Sequence, residues 1–295
     1  MTSASETRPA HSQERRPKAL LLFDLRKQGF ATQVAALRPV IERHLDVVDV
    51  VDDLETPLPA CDAEIALLLG GDGSMLRAAR VMGTRQLPVL GVNLGRLGFL
   101  ADVRPAQLDE VLPRVASGEY RVVNHLMFQC TLLRDGVAHA TRLGLNEVAV
   151  LAGSPFAMVE VQLYVDGQMA TTYSCDGLIV STPVGSTAHS LSAGGPILHK
   201  SLQAFVVSPI SPHTLTMRPV VDAADRIYEL ACPEPHEGTT LVVDGWEMSR
   251  LASHDRVRIE RAEAQFQLIE VYGRDYYQTL REKLGWGGRL NLSPP

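Results

Sequence analysis

The chain has 295 residues, of which 45% are hydrophobic and 21% charged, and a formal net charge of −6. That length supports two domains with a core in each, and the composition is that of a soluble globular protein. The acidic balance argues against a general nucleic-acid binder, which carries a basic patch or stripe. It leaves room for an anionic small ligand, because backbone N–H groups at helix ends bind phosphate without a basic surface.

The four cysteines, Cys61, Cys130, Cys175 and Cys232, are scattered, with no C-x-x-C pair and no His at zinc spacing. Neither a disulfide framework nor structural zinc is expected, and a reducing cytoplasm is the default location. Residues 1–17 are polar and lack the apolar segment of a signal peptide, so they read as a disordered lead-in. No window reaches the roughly 18 apolar residues of a membrane span.

From Lys18 onward the pattern becomes periodic. Ala19–Phe23 is a short apolar run that predicts a buried strand, and Val34, Leu37, Val40 and Ile41 then recur at helical spacing. Val47–Val51 and Ala63–Leu69 predict two more strands. The second ends in Gly70-Gly71-Asp72-Gly73, after which Ser74 is placed to cap a helix with its body at Met75–Met82. Pro88–Val92 predicts a fourth strand. Strands alternating with helices imply a parallel sheet covered by helices.

After about Tyr120 the period changes. Val159, Val161, Leu163 and Val165 alternate with Glu160, Gln162 and Tyr164, a period-two strand. Asp135-Gly136, Asp166-Gly167 and Asp244-Gly245 are hairpin signals beside apolar runs. Val257 and Ile259, then Phe266, Leu268 and Ile269, continue the β pattern. Tyr277, Leu280 and Leu284 predict a final helix that packs back on the first domain. The expected fold is an α/β N-terminal domain with a parallel sheet, 18–119 plus 273–295, and a β-rich, sandwich-like layered domain, 120–272.

The chemistry concentrates in a few segments. In Leu69-Gly70-Gly71-Asp72-Gly73-Ser74 a buried strand delivers a glycine loop to a helix N-terminus, where exposed N–H groups favour phosphate. Arg77 follows one turn later. Glycines for turn geometry alone would explain a bare Gly-rich turn. The acid between them asks for more, because a carboxylate beside a phosphate must either hold a metal ion or accept the proton of an attacking hydroxyl. The Walker pattern G-x-x-x-x-G-K-[ST] is missing. The loop instead resembles the Gly-Gly-Asp-Gly loop of NAD kinases, phosphofructokinases, diacylglycerol kinases and sphingosine kinases.

Further segments narrow the resemblance to the NAD kinases. Gly91-Val92-Asn93-Leu94-Gly95-Arg96-Leu97-Gly98-Phe99-Leu100 resembles that family's next motif, one strand later and so at the same sheet edge, where α/β proteins bind ligands. Phe99 would pack against a ligand ring. Asn146-Glu147 resembles the family's Asn-Glu pair, which implies contacts to adenosine and ribose hydroxyls; a bare strand end would also accommodate the two side chains. Asp176-Gly177 through Gly185-Ser186-Thr187-Ala188-His189-Ser190-Leu191-Ser192 to Gly194-Gly195-Pro196 is similar over its whole length. Taken alone, its hydroxyls read as capping groups and its Asp-Gly as one more turn. Ser208–Val221, with His213, and Arg274–Gly287 also resemble the family. In all, the likeness runs from about Lys18 to Gly287.

The resemblance implies an ATP-dependent kinase that phosphorylates the adenosine ribose of NAD. Asp72 would be the catalytic base, and Gly70, Gly71, Gly73, Ser74 and Arg77 the phosphate loop. Asp72, Gly73, Phe99, Asn146, Glu147, Ser174, Asp176, Val184, Thr187, Ala188, His189 and Ser192 would bind NAD, with His213 and Trp246 as further ligand contacts. ATP would arrive with Mg²⁺ or another divalent cation rather than meet a protein metal site. No nucleic-acid or membrane partner is implied, and a homodimer or homotetramer is expected. The sequence departs from the family where His189 stands for Tyr, Trp246 for Gln, Val184 for a small or hydroxyl residue and Ser174 for Arg, and where 152–156 lacks a basic residue. These departures surround the acceptor and leave the choice between NAD and NADH open. Two rival readings are a lipid or sugar kinase with the same loop, and a dinucleotide-binding sensor without catalysis.

Overall fold

The computed structural model describes residues 15–26, 30–56, 58–95, 98–153, 158–271 and 276–286. The expected lead-in before Arg15, the 154–156 segment and the tail's first residues from Gly273 lie outside them.

The N-terminal part alternates as its sequence pattern requires. Strand β1 (Lys18–Leu22) leads to helix α1 (Phe30–His44) and β2 (Asp46–Val51), then β3 (Ile65–Leu69), α2 (Asp72–Met82) and β4 (Val89–Val92). The four strands are parallel, in the order β2-β1-β3-β4. Every residue of β3 is buried, as a strand covered on both faces must be. A helix not anticipated from the sequence, α3 (Leu108–Ala116), buries Leu108, Val111, Leu112 and Val115 beside α1 and carries Pro113 inside it.

Long antiparallel strands follow: β5 (Arg121–Arg134), β6 (Val137–Gly144), β7 (Glu147–Leu151), β8 (Val159–Val165), β9 (Gln168–Cys175) and β10 (Gly177–Ser181). A one-turn helix α4 (His189–Ser192) precedes β11 (Ala204–Ile210), β12 (Val220–Ala223), β13 (Tyr228–Ala231), β14 (Thr240–Val243), β15 (Trp246–Arg250) and β16 (Arg256–Glu270). Helix α5 (Tyr276–Leu284) closes the described chain.

Strand β16 joins the two parts. Its first half pairs antiparallel with β13, whereas Leu268 near its end pairs parallel with Val89 of β4, so one sheet of ten strands runs through both regions. A second sheet of six strands, β12-β11-β10-β7-β14-β15, lies against its β-rich half. Between them Phe128, Tyr173, Phe205, Tyr228 and alternate residues such as Val148, Val150, Leu178 and Val180 form a core. Each fully buried Val, Leu or Phe stabilises this sandwich by about 1.5–3 kcal/mol.

The three hairpin signals fold as turns with both central residues at positive φ: 51° and 78° at Asp135-Gly136, 49° and 77° at Asp166-Gly167, 48° and 84° at Asp244-Gly245. Asp176-Gly177 is different. It carries the chain from β9 in the first sheet to β10 in the second, and a Cβ on Gly177 would stand 2.7 Å from the Val150 carbonyl. Helix α5 returns to the loops beside the parallel strands: Tyr276 donates to the Leu198 carbonyl at 2.8 Å, Leu280 is buried, and the Lys283 ammonium stands 5.1 Å from the Phe99 ring centre. Among the described residues no helix is long and apolar enough to cross a membrane.

Candidate active site

Two loops at the C-terminal edge of the parallel strands meet at Asp72. Helix α2 begins three residues earlier than a Ser74 cap would allow. Gly71 is its N-cap, extended at φ −113° and ψ −169°, and Asp72 is its first helical residue. Ser74 is buried at 2% exposure and its N–H donates to the Gly71 carbonyl at 2.9 Å, so it closes the turn from inside rather than capping from outside. Its side chain fills the space a Cβ on Gly70 would need.

The Asp72 carboxylate reaches the second glycine motif. Phe99 N–H donates to Oδ2 at 2.6 Å, and Leu100 and Ala101 N–H donate to Oδ1 at 3.0 and 3.2 Å. A Cβ on Gly98 would overlap this carboxylate, which is the physical requirement for glycine there. A carboxylate offers about four acceptor sites. Three are taken by backbone donors, and one remains for an incoming hydroxyl.

Arg77 turns away from the loop. Its guanidinium binds Asp24 at the end of β1, lies 3.7 Å from Glu55, and stands 5.2 Å from the centre of the Trp246 ring. Arg80 pairs with Glu55 at 2.7 Å and stands 4.8 Å from the centre of the same Trp246 ring. Bonding to Arg26, and secondarily the charge of Arg77, holds the Asp24 carboxyl down at about 2. Trp246, expected as a ligand contact, therefore packs on α2 through cation–π contacts, and Arg77 anchors the helix to β1.

The second centre lies on the outer face of the six-stranded sheet. Because strand side chains alternate, Val148 and Val150 of β7 face the core while Glu147, Ala149 and Leu151 face outward. With Ile179, Val242, His189 and Ser192 they line a mostly apolar cavity of about 240 Å³. Glu147 is 3% exposed; one carboxylate oxygen meets His189 Nδ1 at 2.6 Å and the other has no partner among the described residues. Burial pushes the Glu147 carboxyl above its ordinary range, and His189 opposes that shift.

The loop bearing Asn146 and Glu147 is held by a group that the sequence presented only as a turn residue. The buried Asp244 carboxylate accepts Leu145 N–H at 2.7 Å, Asn146 N–H at 2.8 Å and Glu147 N–H at 3.0 Å. Burial lifts this carboxyl to about 7 against the three donors. Opposite, the Thr182 hydroxyl donates to the Leu145 carbonyl at 2.6 Å, and a Cβ on Gly185 would overlap the Asn146 carbonyl. The hydroxyls of the Gly-Ser-Thr turn serve the framework: Ser186 donates to the Pro183 carbonyl and Thr187 to that of Val184, at 2.6 and 3.0 Å. The Ala188 N–H donates to Gly185 at 2.8 Å. Val184 is 4% exposed and packs with Met75, Leu100 and Leu145, so its side chain belongs to the core between the two centres.

Ser174, Asp176 and His213 form a third group on the rim. His213 N–H donates to the Ser174 carbonyl at 2.9 Å, and its Nε2 lies 3.5 Å from Asp176. The Ser174 hydroxyl contacts Met158 Sδ at 2.6 Å. The Asp176 N–H donates at 3.0 Å to the carbonyl of Ile210, which lines the cavity. Of the residues expected around NAD, Asp72 and Phe99 fall in the first group, Glu147, His189 and Ser192 in the second, and Ser174 and Asp176 on this rim, while Val184, Thr187 and Ala188 belong to the framework.

A strand, a glycine loop and an acid at a helix N-terminus, set beside a β-sandwich with an apolar cavity, are the parts of a phosphotransferase. Comparison with known proteins makes this specific. The ATP-NAD kinase N-terminal domain matches residues 22–120 and the ATP-NAD kinase C-terminal domain matches 145–271. An NAD kinase of Rhodopirellula baltica is 49% identical over 94% of this chain and 89% of its own, and one of Geotalea daltonii is 41% identical over 77% and 80%. Among solved structures, an NAD kinase from Archaeoglobus fulgidus in complex with ATP is 27% identical with a TM-score of 0.69, covering 91% of this chain and 97% of its own. Yeast NADH kinase complexed with NADH shares the fold, with a TM-score of 0.83 at 21% identity over 96% and 91%. The chain belongs to the NAD kinase family.

Proposed function

We propose that this protein transfers the γ-phosphoryl group of ATP to the 2′-hydroxyl of the adenosine ribose of NAD, forming NADP. The observation that carries the mechanism is the Asp72 carboxylate, fixed by three backbone donors at the start of a helix inside a glycine loop. Its remaining acceptor site orients the 2′-hydroxyl and takes its proton as the new O–P bond forms and the bond from the γ-phosphorus to the bridging oxygen breaks to release ADP, a contribution of roughly 10²–10⁴-fold in rate. The first-turn N–H groups at Asp72 and Gly73 lie at the positive end of the helix dipole and face phosphate. Glu147 and His189 hold the nucleotide from the apolar cavity.

The divalent cation would be held by the triphosphate and neutralise charge on the transferring group. A cytoplasmic location and a homodimer or homotetramer complete this reading. The family membership favours neither a lipid or sugar kinase nor a sensor without catalysis. The deciding experiment is NADP formation by the purified protein from NAD, ATP and Mg²⁺. Absence of NADP, with NAD still bound or with a sugar or lipid phosphorylated instead, would overturn the proposal.

A further inference from the structure

Behind the loop that holds Asp72 lies a second cavity of about 230 Å³, lined by Phe99, Asp102, His125, Lys200, Glu270 and Tyr276 among others. Lys200 is its centre. The ammonium donates to the Phe99 carbonyl at 2.6 Å. That carbonyl and the Leu100 N–H belong to one planar peptide group, and the Leu100 N–H donates to Asp72 Oδ1 at 3.0 Å. A cation therefore sits at one end of a single peptide dipole and the Asp72 carboxylate at the other.

This arrangement has two consequences. First, a charge-assisted bond is roughly twice as strong as a neutral one, so Lys200 fixes the plane of the peptide that aims at Asp72. The flanking Phe99 and Ala101 donors are then held in line with both carboxylate oxygens. Second, hydrogen bonds in a chain polarise one another by perhaps 10–30% each, so the cation strengthens the Leu100 donor. The neighbourhood keeps this role with Lys200. His125 is fully buried with neither ring nitrogen partnered among the described residues, and burial, then the Lys200 charge, drops it to about 3, which leaves it neutral. Arg121 is tied to Glu270 by two bonds of 2.9 and 2.5 Å.

We propose that Lys200 is a positioning residue for phosphoryl transfer, holding Asp72 through the Phe99–Leu100 peptide. The proposal rests on Asp72 being the base, and the test separates the two. Groups facing Lys200 are Asp102, Glu270 on β16, His125 and Arg121 on β5, His199, and Tyr276 on α5. Burial lowers the Lys200 pKa, while Glu270, Asp102 and Asp72 oppose that shift. Turnover should therefore decline on the alkaline side, below the ordinary lysine range, as the ammonium loses its proton.

The experiment measures kcat and KM for NAD and ATP, across pH, in Lys200→Met, Lys200→Arg, Asp72→Asn and the Asp72→Asn/Lys200→Met double variant. Loss of one charge-assisted bond predicts a fall in kcat of about tenfold in Lys200→Met, with both KM values changed less than about twofold. Lys200→Arg should recover most of the loss and move the alkaline limb upward. In the Asp72→Asn background the same Lys200→Met change should cost less than about twofold. An undiminished kcat in Lys200→Met, or an equal loss with and without Asp72, overturns the positioning role. If Asp72→Asn alone keeps its turnover, the base assignment fails instead. Should Lys200→Met not fold, the alkaline limbs of the native enzyme and Lys200→Arg decide: coincident limbs overturn the proposal and displaced limbs support it.

Discussion

Two aspartates in Asp-Gly dipeptides are anchored alike and placed in opposite surroundings. Asp72 accepts three consecutive backbone N–H groups from Phe99 to Ala101, and Asp244 accepts three from Leu145 to Glu147. Asp72 is partly exposed at a helix N-terminus, whereas Asp244 is 8% exposed beneath a hairpin turn. The same backbone cradle thus yields a carboxylate that can meet a ligand and one that can only hold a loop. Geometry around a side chain fixes its orientation, and access decides whether that orientation is used for chemistry or for framework.

The largest effect that tests this contrast is on turnover. Asp72→Asn keeps the volume and one acceptor oxygen but cannot take a proton, so kcat should fall by at least about 10²-fold with NAD affinity preserved. Steady-state kinetics with a direct NAD binding measurement checks both halves. Turnover close to that of the native enzyme would remove Asp72 from the proton transfer.

Asp244→Asn should act on stability instead. The amide turns an NH₂ toward backbone donors, and a buried donor left without its acceptor costs about 1–3 kcal/mol. The sign of its pH dependence follows from burial. A carboxyl raised to about 7 in the fold, from 3.8, stabilises most below the unfolded value and loses that contribution as pH rises through about 7. The penalty of Asp244→Asn should therefore be larger at pH ~5 than at pH ~8. Urea midpoints of both proteins at the two pH values measure it. A penalty that grows with pH would mean that the three N–H donors, and not burial, dominate this site.

Much of this contrast was legible in the sequence at one aspartate and not at the other. Gly70-Gly71-Asp72-Gly73 follows an all-apolar strand, so its place at the sheet edge and at the start of a helix could be read from local order. Asp244-Gly245 reads equally well as a hairpin turn, and it is one, with φ of 48° and 84°. Its second role depends on β14 pairing with β7, which no local pattern encodes. Lys200 was missed for the same reason, since Phe99 is about a hundred residues away in sequence. Ser74 shows the converse error: a hydroxyl at a helix start suggests a cap, yet glycine at 71 already supplies the extended residue and the serine turns inward.

A smaller effect is expected in the cavity. Glu147→Ala removes a nearly buried carboxylate and leaves His189 without its 2.6 Å partner. NAD dissociation constants should rise about tenfold, the equivalent of one hydrogen bond of roughly 1.4 kcal/mol, with kcat changed much less. Calorimetric binding of NAD, set beside turnover at saturating substrate, separates the two. Collapsed turnover with unchanged affinity would assign Glu147 to the chemistry and not to recognition.

The smallest effect concerns the acceptor's far ring. NAD and NADH differ by one positive charge on the nicotinamide, so a pocket separates them only where charged or buried polar groups face that ring. At the rim, Ser174 stands where the family resemblance led us to expect Arg, and its hydroxyl is turned to Met158. Asp176 and His213 face each other at 3.5 Å, both about half exposed, so water screens the charge they present. The cavity beside them is lined largely by Ala149, Leu151, Ile179, Ile210 and Val242. Apart from Glu147 and His189, which the proposed function assigns to holding the nucleotide's ribose end, these walls do not distinguish a charged ring from a neutral one. The expected outcome is a kcat/KM ratio for NAD over NADH within about tenfold, or roughly 1.4 kcal/mol, measured at one ATP concentration. A preference of about a hundredfold, near 2.7 kcal/mol, would show that a charged group does reach the ring. Asp176→Asn is then the variant to examine, because its carboxylate is the rim charge best suited to favour the cationic ring.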